Sequence, residues 1–223
     1  WWMRPPTPRW PPGWSGGLAA DGGRETMTDR SPDVVWQDSL LPSRERWSVL
    51  GQTGATVWFT GLSGSGKSSV AAACERLLVA AGRPAYLLDG DNLRHGLNGD
   101  LGFSADDRDE NVRRVAEVAR LFADAGLVAL VPLISPYRAA RERARTLHQA
   151  AGVPFLEVHV DTPIEVCEER DPKGLYSRAR AGNLPGFTGV DDPYEPPEHP
   201  DLVLTPDDGP PVAAAIRVLD LLG

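Results

Sequence analysis

The sequence reads as an α/β protein, a doubly wound parallel sheet of five strands with helices on both faces. Three observations carry that reading. Short, nearly continuous apolar runs alternate with longer amphipathic segments, the pattern of strands buried on both faces beneath covering helices. Gly82 and Gly126 close two of the amphipathic segments, as glycines do at helix ends. A glycine-rich turn, Gly61 to Gly66, separates the first apolar run from the first helical stretch.

Residues 1–32, opening WWMRPPTPRWPPGWSGG, combine Pro, Gly and four Trp without helical or strand periodicity. They read as a disordered tail or a start-site artefact, with Met3 or Met27 as the alternative first residue; a polyproline II ligand is the functional alternative. Residues 33–54 are expected to pack as an extension on a domain spanning 55–223. Ala55 to Thr60 form the first strand and Lys67 to Ala81 the helix that follows. The second strand lies in PAYLLDGD, and a long amphipathic helix runs from Ala105 to Ala125. LVALVPLI holds the third strand, whose end Pro132 is expected to bend, before a helix from Pro136 to about Ala150. FLEVHVDT holds the fourth, followed by a short helix through Arg170 that Asp161 is expected to cap. A basic, glycine-rich stretch at about 171–192 precedes the last strand, in DLVLT, and a helix from Pro211 to Leu222.

Composition narrows the function. With 41% hydrophobic and 24% charged residues in 223, the chain has the makings of one soluble domain with a substantial core. A formal charge of −8 argues against nucleic acid or an anionic membrane as main partner. No run is long enough to span a bilayer, and the N-terminus lacks the apolar segment of a signal peptide. Cys74 and Cys167 fall far apart on helical apolar spacings and read as buried free thiols, which suits a reducing, cytoplasmic setting. His95, His148, His159 and His199 lack metal-ligand spacing. Of 23 basic side chains only Lys67 and Lys173 are lysines, so each invites a specific reason.

Gly61, Gly66, Lys67 and Ser68 fill the pattern G-x-x-x-x-G-K-[ST], between a strand and a helix as that phosphate-binding loop requires. The predicted cradle is Gly61, Leu62, Ser63, Gly64, Ser65, Gly66, Lys67, Ser68 and Ser69. Its amides and the helix N-terminus meet a triphosphate, Lys67 reaches the β and γ phosphates, and Ser68 offers its hydroxyl to Mg²⁺ bound with ATP. A GTPase would carry N-K-x-D, which this chain lacks.

A kinase needs an acceptor side, and LLDGDNLRHGLNGDLGFSADDRDENVRR supplies candidates. Asp89 and Asp91 end the second strand, where a carboxylate takes the proton of an attacking hydroxyl or holds Mg²⁺ through water. An Asp-Gly turn with a helix cap is the structural alternative. Arg94, Arg108, Asn111 and Arg113 are dense enough to clamp an anion, and Phe103 offers a ring for stacking. Arg114 and Arg120 read instead as a solvated face paired with neighbouring acids.

GLSGSGKSS, DGDNLRHGLN, LGFSADDRDENVRRVAEVARLFADAGLV, ISPYR, RDPKGLYSRARAG, GFTGVDDPYE and DLVL resemble, in order and spacing, the adenylylsulfate kinase family, over about Trp47 to Leu222. The resemblance implies the P-loop kinase fold and transfer of the ATP γ-phosphate to the 3′-hydroxyl of adenosine 5′-phosphosulfate (APS), giving PAPS and ADP in sulfate assimilation. It implies an acceptor site of Asp91, Arg94, Phe103, Arg108, Asn111, Ile134, Ser135, Lys173, Gly186 and Phe187, with Arg170 on ATP. It also implies a homodimer and a possible association with ATP sulfurylase. Lys173 gains its reason, because RDPKGLYSRARAGNLPGF places Arg170, Lys173, Arg178 and Arg180 among glycines as a basic lid would.

The family describes the serine of ISPY as a phosphoserine intermediate, while Ser135 before Pro136 also reads as a helix N-cap beside a direct in-line transfer. The rival functions are a P-loop kinase for gluconate, shikimate or a nucleoside monophosphate, and a non-catalytic nucleotide-binding regulatory domain. Residues alone leave the base open between Asp89 and Asp91.

Overall fold

The computed structural model describes Val35, Gln37 and residues 39–223, so the readings of residues 1–32 lie outside the described residues. The chain divides into two compact units, 1–42 and 43–223. In the first, the Ser39 hydroxyl donates to the Leu41 carbonyl at 3.0 Å. The second unit carries the sheet.

Strands β1 (Ala55–Thr60), β2 (Ala85–Leu87), β3 (Val128–Pro132), β4 (Phe155–Val160) and β5 (Leu202–Leu204) pair in the order β2-β3-β1-β4-β5. Every pairing is parallel. The chain runs out from β1 to β2, returns to β3, and then crosses β1 to reach β4. The direction of winding therefore reverses at β1, and a crevice opens at the carboxyl ends on either side of it.

All six residues of β1 are buried, and alternate side chains leave for opposite faces. Val57 and Phe59 join a core with Val70, Cys74 and Leu78 of α2 (Lys67–Ala80) and with Ala215 and Val218 of α8 (Pro211–Asp220). Trp58 joins the other core, with Val112, Val115 and Ala119 of α4 (Ala105–Asp124) and Ala140 and Ala144 of α5 (Arg138–Ala150). Ser104 caps α4 by accepting from Asp107 N–H at 3.1 Å, and Asp106 and Asp107 lie in the first turn, where the helix dipole favours them. Both cysteines are free and buried.

Helix α1 (Ser43–Leu50) packs on the end of α4 and on the turn that enters β3. Trp47 Nε1 donates to Ala123 O at 2.9 Å, Arg46 pairs with Asp124, and the Gln52 amide donates to Pro84 O and Gly126 O at 2.8 and 2.9 Å. Gly54 has no alternative here, because an added Cβ would lie 1.9 Å from Ala123 O.

Local expectations change in three places. The helix after β3 begins at Arg138 with Tyr137 as its N-cap, so Ser135 does not cap it. Ser135 instead holds φ +40°, the one left-handed non-glycine among the described residues, with its hydroxyl turned into the core. Asp161 does not cap α6 (Ile164–Arg170) either: the N-cap is Pro163, and the Asp161 N–H extends the β4–β5 pairing by donating to Leu204 O at 2.7 Å. Pro132 leaves the register unbroken, from Ala55↔Val128 to Phe59↔Pro132. The donors of Val128 and, by alternation, position 132 face β2, but β2 pairs only as far as Leu88 N–H to Leu130 O, so the imide nitrogen falls where no ladder bond is needed.

Candidate active site

The glycine-rich turn follows β1 at the switch point. Gly61 has φ +145° and a Cβ there would meet Val160 O at 2.5 Å; Gly66 has φ +104° and opens α2. Backbone of this shape directs successive N–H groups inward. Lys67 lies beneath, 7% exposed, donating to Leu62 O at 2.6 Å and towards Ser65 Oγ at 3.4 Å. Burial lowers its pKa from the usual 10.5 to about 8, with nearby Lys173 pushing the same way and Cys167, Asp89 and Asp91 opposing.

Across the crevice, Asp89 ends the segment after β2 and caps the short helix α3 (Gly90–Leu93): its Oδ1 accepts from Asp91 N–H at 3.0 Å. Its Oδ2 accepts from Ser68 Oγ at 2.9 Å, so the aspartate pair faces the phosphate turn. Asp91 Oδ2 pairs with Lys173. No described residue bonds to Asp91 Oδ1.

A cavity of about 940 Å³ joins these groups. Ser63, Gly64, Ser65, Gly66, Lys67, Ser68 and Ser69 line one part, with Arg170. Asp91, Arg94, Phe103, Arg108 and Asn111 line another, with Ile134, Ser135, Lys173, Gly186 and Phe187 completing it. Gly61 and Leu62 stand off the wall; Leu62 gives its carbonyl to Lys67 and its side chain to an apolar cluster with Cys167, Tyr176 and Phe187. Arg113 is not on the wall and pairs with Glu110 on the outer face of α4, because the helical period turns it away from Arg108 and Asn111. Arg114 pairs with Asp100 and Glu110, and Arg120 with Glu117, as expected, but both arginines are half-buried rather than on a fully solvated face.

The wall opposite the glycine-rich turn is already organised. The Arg94 guanidinium lies 4.3 Å from the Phe103 ring centroid and donates to Leu101 O and Gly102 O at 3.2 and 2.9 Å. Arg108 is less free than a clamp would be. It donates to Phe103 O at 2.9 Å, Asp192 Oδ2 at 3.1 Å, Thr188 Oγ1 and Gly186 O, so it fastens α4 to residues 186–192. Ser135 is 4% exposed: its Oγ accepts from Trp58 Nε1 and donates to Thr60 Oγ1, both at 3.1 Å. Arg141, 2% exposed, donates to Ser135 O at 2.6 Å and fixes the backbone of that residue.

The stretch 171–192 has its own small core. Helix α7 (Leu175–Arg180) brings Tyr176 against Phe187, ring centroids 5.0 Å apart, with Cys167 beneath. Tyr176 OH donates to Ser63 O at 3.0 Å, and Arg170 donates to Gly64 O at 3.3 Å.

Sequence reasoning marks DTP and TPDDG as strand-end positions where a ligand would bind, without a role for either, and missed that Thr162, Leu204, Thr205, Pro206 and Gly209 together form one end of the cavity. Position just after a strand was the one available signal, since those residue types carry no distinctive chemistry. It also missed Thr188 and Asp192, whose part depends on Arg108 reaching them across the fold. The cavity thus sets a phosphate cradle and a cation-rimmed, ring-bearing wall on either side of two carboxylates, an arrangement suited to group transfer between two anionic molecules.

Residues 53–205 match the family described as adenylylsulphate kinase. The adenylyl-sulfate kinase of Clostridium acetobutylicum is 55% identical over 175 residues, covering 78% of this chain and 86% of that protein. That of Shewanella pealeana is 55% identical over 190 residues, covering 85% and 92%. Among solved structures, the Mycobacterium tuberculosis APS kinase CysC in complex with AMPPNP and APS superposes with a TM-score of 0.75 at 59% identity, covering 77% of this chain and 98% of that one.

Proposed function

The chain belongs to the adenylylsulphate kinase family and is an ATP-dependent adenylyl-sulfate kinase, and from that premise we propose how its residues divide the work. The observation that carries the reading is the Ser68–Asp89 contact at 2.9 Å, which brings the donor turn and the acceptor wall to one point of one cavity.

ATP lies with its phosphates in the turn from Ser63 to Ser69, under the amides, the N-terminus of α2 and Lys67. Ser68 Oγ and the Asp89 carboxylate are hard oxygens on that side, and the donor set fits Mg²⁺. Bound with ATP, Mg²⁺ supplies charge neutralisation across the phosphate oxygens. APS lies on the opposite wall, with its ring system between Phe103 and Phe187 and its anionic groups met by Arg94, Arg108, Asn111 and Lys173. Its 3′-oxygen bonds to the γ-phosphorus as the bond to the β-phosphate oxygen breaks, and ADP leaves. Asp91 takes the hydroxyl proton: its Oδ1 has no partner among the described residues, whereas both Asp89 oxygens are engaged.

Transfer is direct. Ser135 has Trp58 and Thr60 for partners, neither of them a base, and its proton is committed to Thr60. A serine nucleophile needs an adjacent group to take that proton. Ser135 therefore shapes the acceptor pocket. The residues 171–192 act as the lid of a domain spanning 55–223, with Arg170, Lys173 and Arg178 closing charge over the phosphates and excluding water. The family resemblance extends the proposal to a cytoplasmic homodimer able to associate with an ATP sulfurylase; sedimentation of the protein, alone and mixed with that enzyme, tests the assembly. Among the described residues no helix is long and apolar enough to cross a membrane.

The test is product formation by the purified protein with ATP, Mg²⁺ and APS. Equal amounts of ADP and 3′-phosphorylated APS are expected. ADP release with gluconate, shikimate or a nucleoside monophosphate but none with APS, or tight ATP binding without turnover, would overturn the assignment.

A further inference from the structure

Asn98 sits in the loop between α3 and α4, entirely buried, and does not itself line the cavity. Its Nδ2 donates to Asn111 Oδ1 at 3.0 Å. Its own Oδ1 is buried with no hydrogen-bond partner, the one such side-chain atom among the described residues. An orphaned buried acceptor costs stability, and native structures retain few of them. The loop does not need Asn98 to hold its place on α4, because Arg114 bridges to Leu97 O at 3.1 Å and to Asp100 at 2.7 and 2.9 Å. A leucine of similar shape would fill the site without the orphan.

The bond to Asn111 supplies what the fold does not. Asn111, 7% exposed, lines the acceptor side of the cavity, and its amide can present either end. With the Asn98 amino group aimed at it, Asn111 must turn Oδ1 away from the cavity side of its amide, and no described residue accepts from its Nδ2. Exchanging both amides would leave both N–H groups of Asn98 unpaired, where the present arrangement leaves one N–H and the oxygen, and an orphaned N–H is the costlier of the two. We propose that Asn98 is a positioning residue for the acceptor: it locks the Asn111 amide so that its two N–H donors are offered to an anionic oxygen of APS. The proposal rests on the reading of Asn111 as an acceptor contact.

The experiment is a double-mutant cycle of Asn98→Leu and Asn111→Ala, with initial rates at varied APS and varied ATP and a melting temperature for each protein. Asn98→Leu should raise KM for APS about tenfold, leave KM for ATP within about twofold, and not lower the melting temperature. In the Asn111→Ala background the same change should add nothing to KM for APS. An unchanged KM for APS in Asn98→Leu beside a raised one in Asn111→Ala would sink the role of Asn98 while leaving the acceptor reading intact. If neither variant moves KM for APS, both fail. A rise that persists in the Asn111→Ala background, or one shared equally by ATP, would assign Asn98 to general loop order and overturn the proposal.

Discussion

Lys67 must be charged to hold phosphate, yet its burial holds the free-protein pKa at about 8. Phosphate oxygens favour the charged form, so ATP binding above that pH should take up a proton, and affinity should fall by up to about tenfold per pH unit as pH rises from about 8 towards the pKa of the complex. Calorimetry at pH 8.5 in two buffers of different ionisation enthalpy reads this directly; equal heats and a flat affinity from pH 7 to 9 would refute it. Asp91→Asn should lower kcat by roughly 10²–10⁴-fold with ATP affinity nearly unchanged, as loss of a general base does. Ser135→Ala should keep turnover within about tenfold and leave no phosphoserine during the reaction; a collapse of kcat in a normally folded variant would restore the covalent route. The identities of these side chains were legible because spacing fixes them around a turn of known chemistry. The conformation of Ser135 was not, because its φ of +40° is imposed by Trp58, Thr60 and Arg141, none of which precedes or follows it within five residues.

Helix α4 lines the cavity on the side proposed for the acceptor and, through Arg108, fastens residues 186–192 of the proposed lid. Replacing Arg108 with Ala removes the bonds to Gly186 O, Thr188 and Asp192 at once. Amides 186–192 should then exchange with solvent at least tenfold faster in the free protein, with KM for APS rising alongside; unchanged protection there would show that the lid is held by its apolar cluster alone. The long helices were readable from their period and their closing glycines, with bounds within a residue or two of Lys67–Ala80 and Ala105–Asp124. Shorter features resisted. Strand β2, at the sheet edge, pairs over three residues because Asp89 leaves the ladder to cap α3, and an apolar pattern cannot announce that departure. The cap of α5 moved from Ser135 to Tyr137 because the serine is needed elsewhere, a demand invisible in local sequence.

The two cores meet across β1, and the polar groups buried with them set the acid limit of the fold. His148 is fully buried, its Nδ1–H donating to Ala144 O at 2.8 Å, which leaves Nε2 to accept from Thr56 at 2.9 Å. Desolvation is the main reason its pKa falls from 6.5 to about 4, with Arg120 adding to it and the Ala144 bond and Glu117 opposing. The unfolded chain binds that proton more readily, so the stability it contributes is complete above pH 6.5 and is lost as pH drops towards 4, on the order of 3 kcal/mol in all. Denaturant unfolding from pH 7 to pH 4 should show this slope and His148→Gln should flatten it; parallel curves for the two proteins would exclude the residue as the cause. The parallel sheet and its switch point were written in the apolar pattern, but the partners of a buried histidine are a product of packing. The same packing has a mechanical corollary. Tyr176 grips the Ser63 carbonyl, and Leu62 is embedded among Cys167, Tyr176 and Phe187. If residues 171–192 act as the proposed lid, an outward swing pulls on the rim of the proposed phosphate turn, so unlocking the cover and loosening the hold on spent nucleotide are one event rather than two.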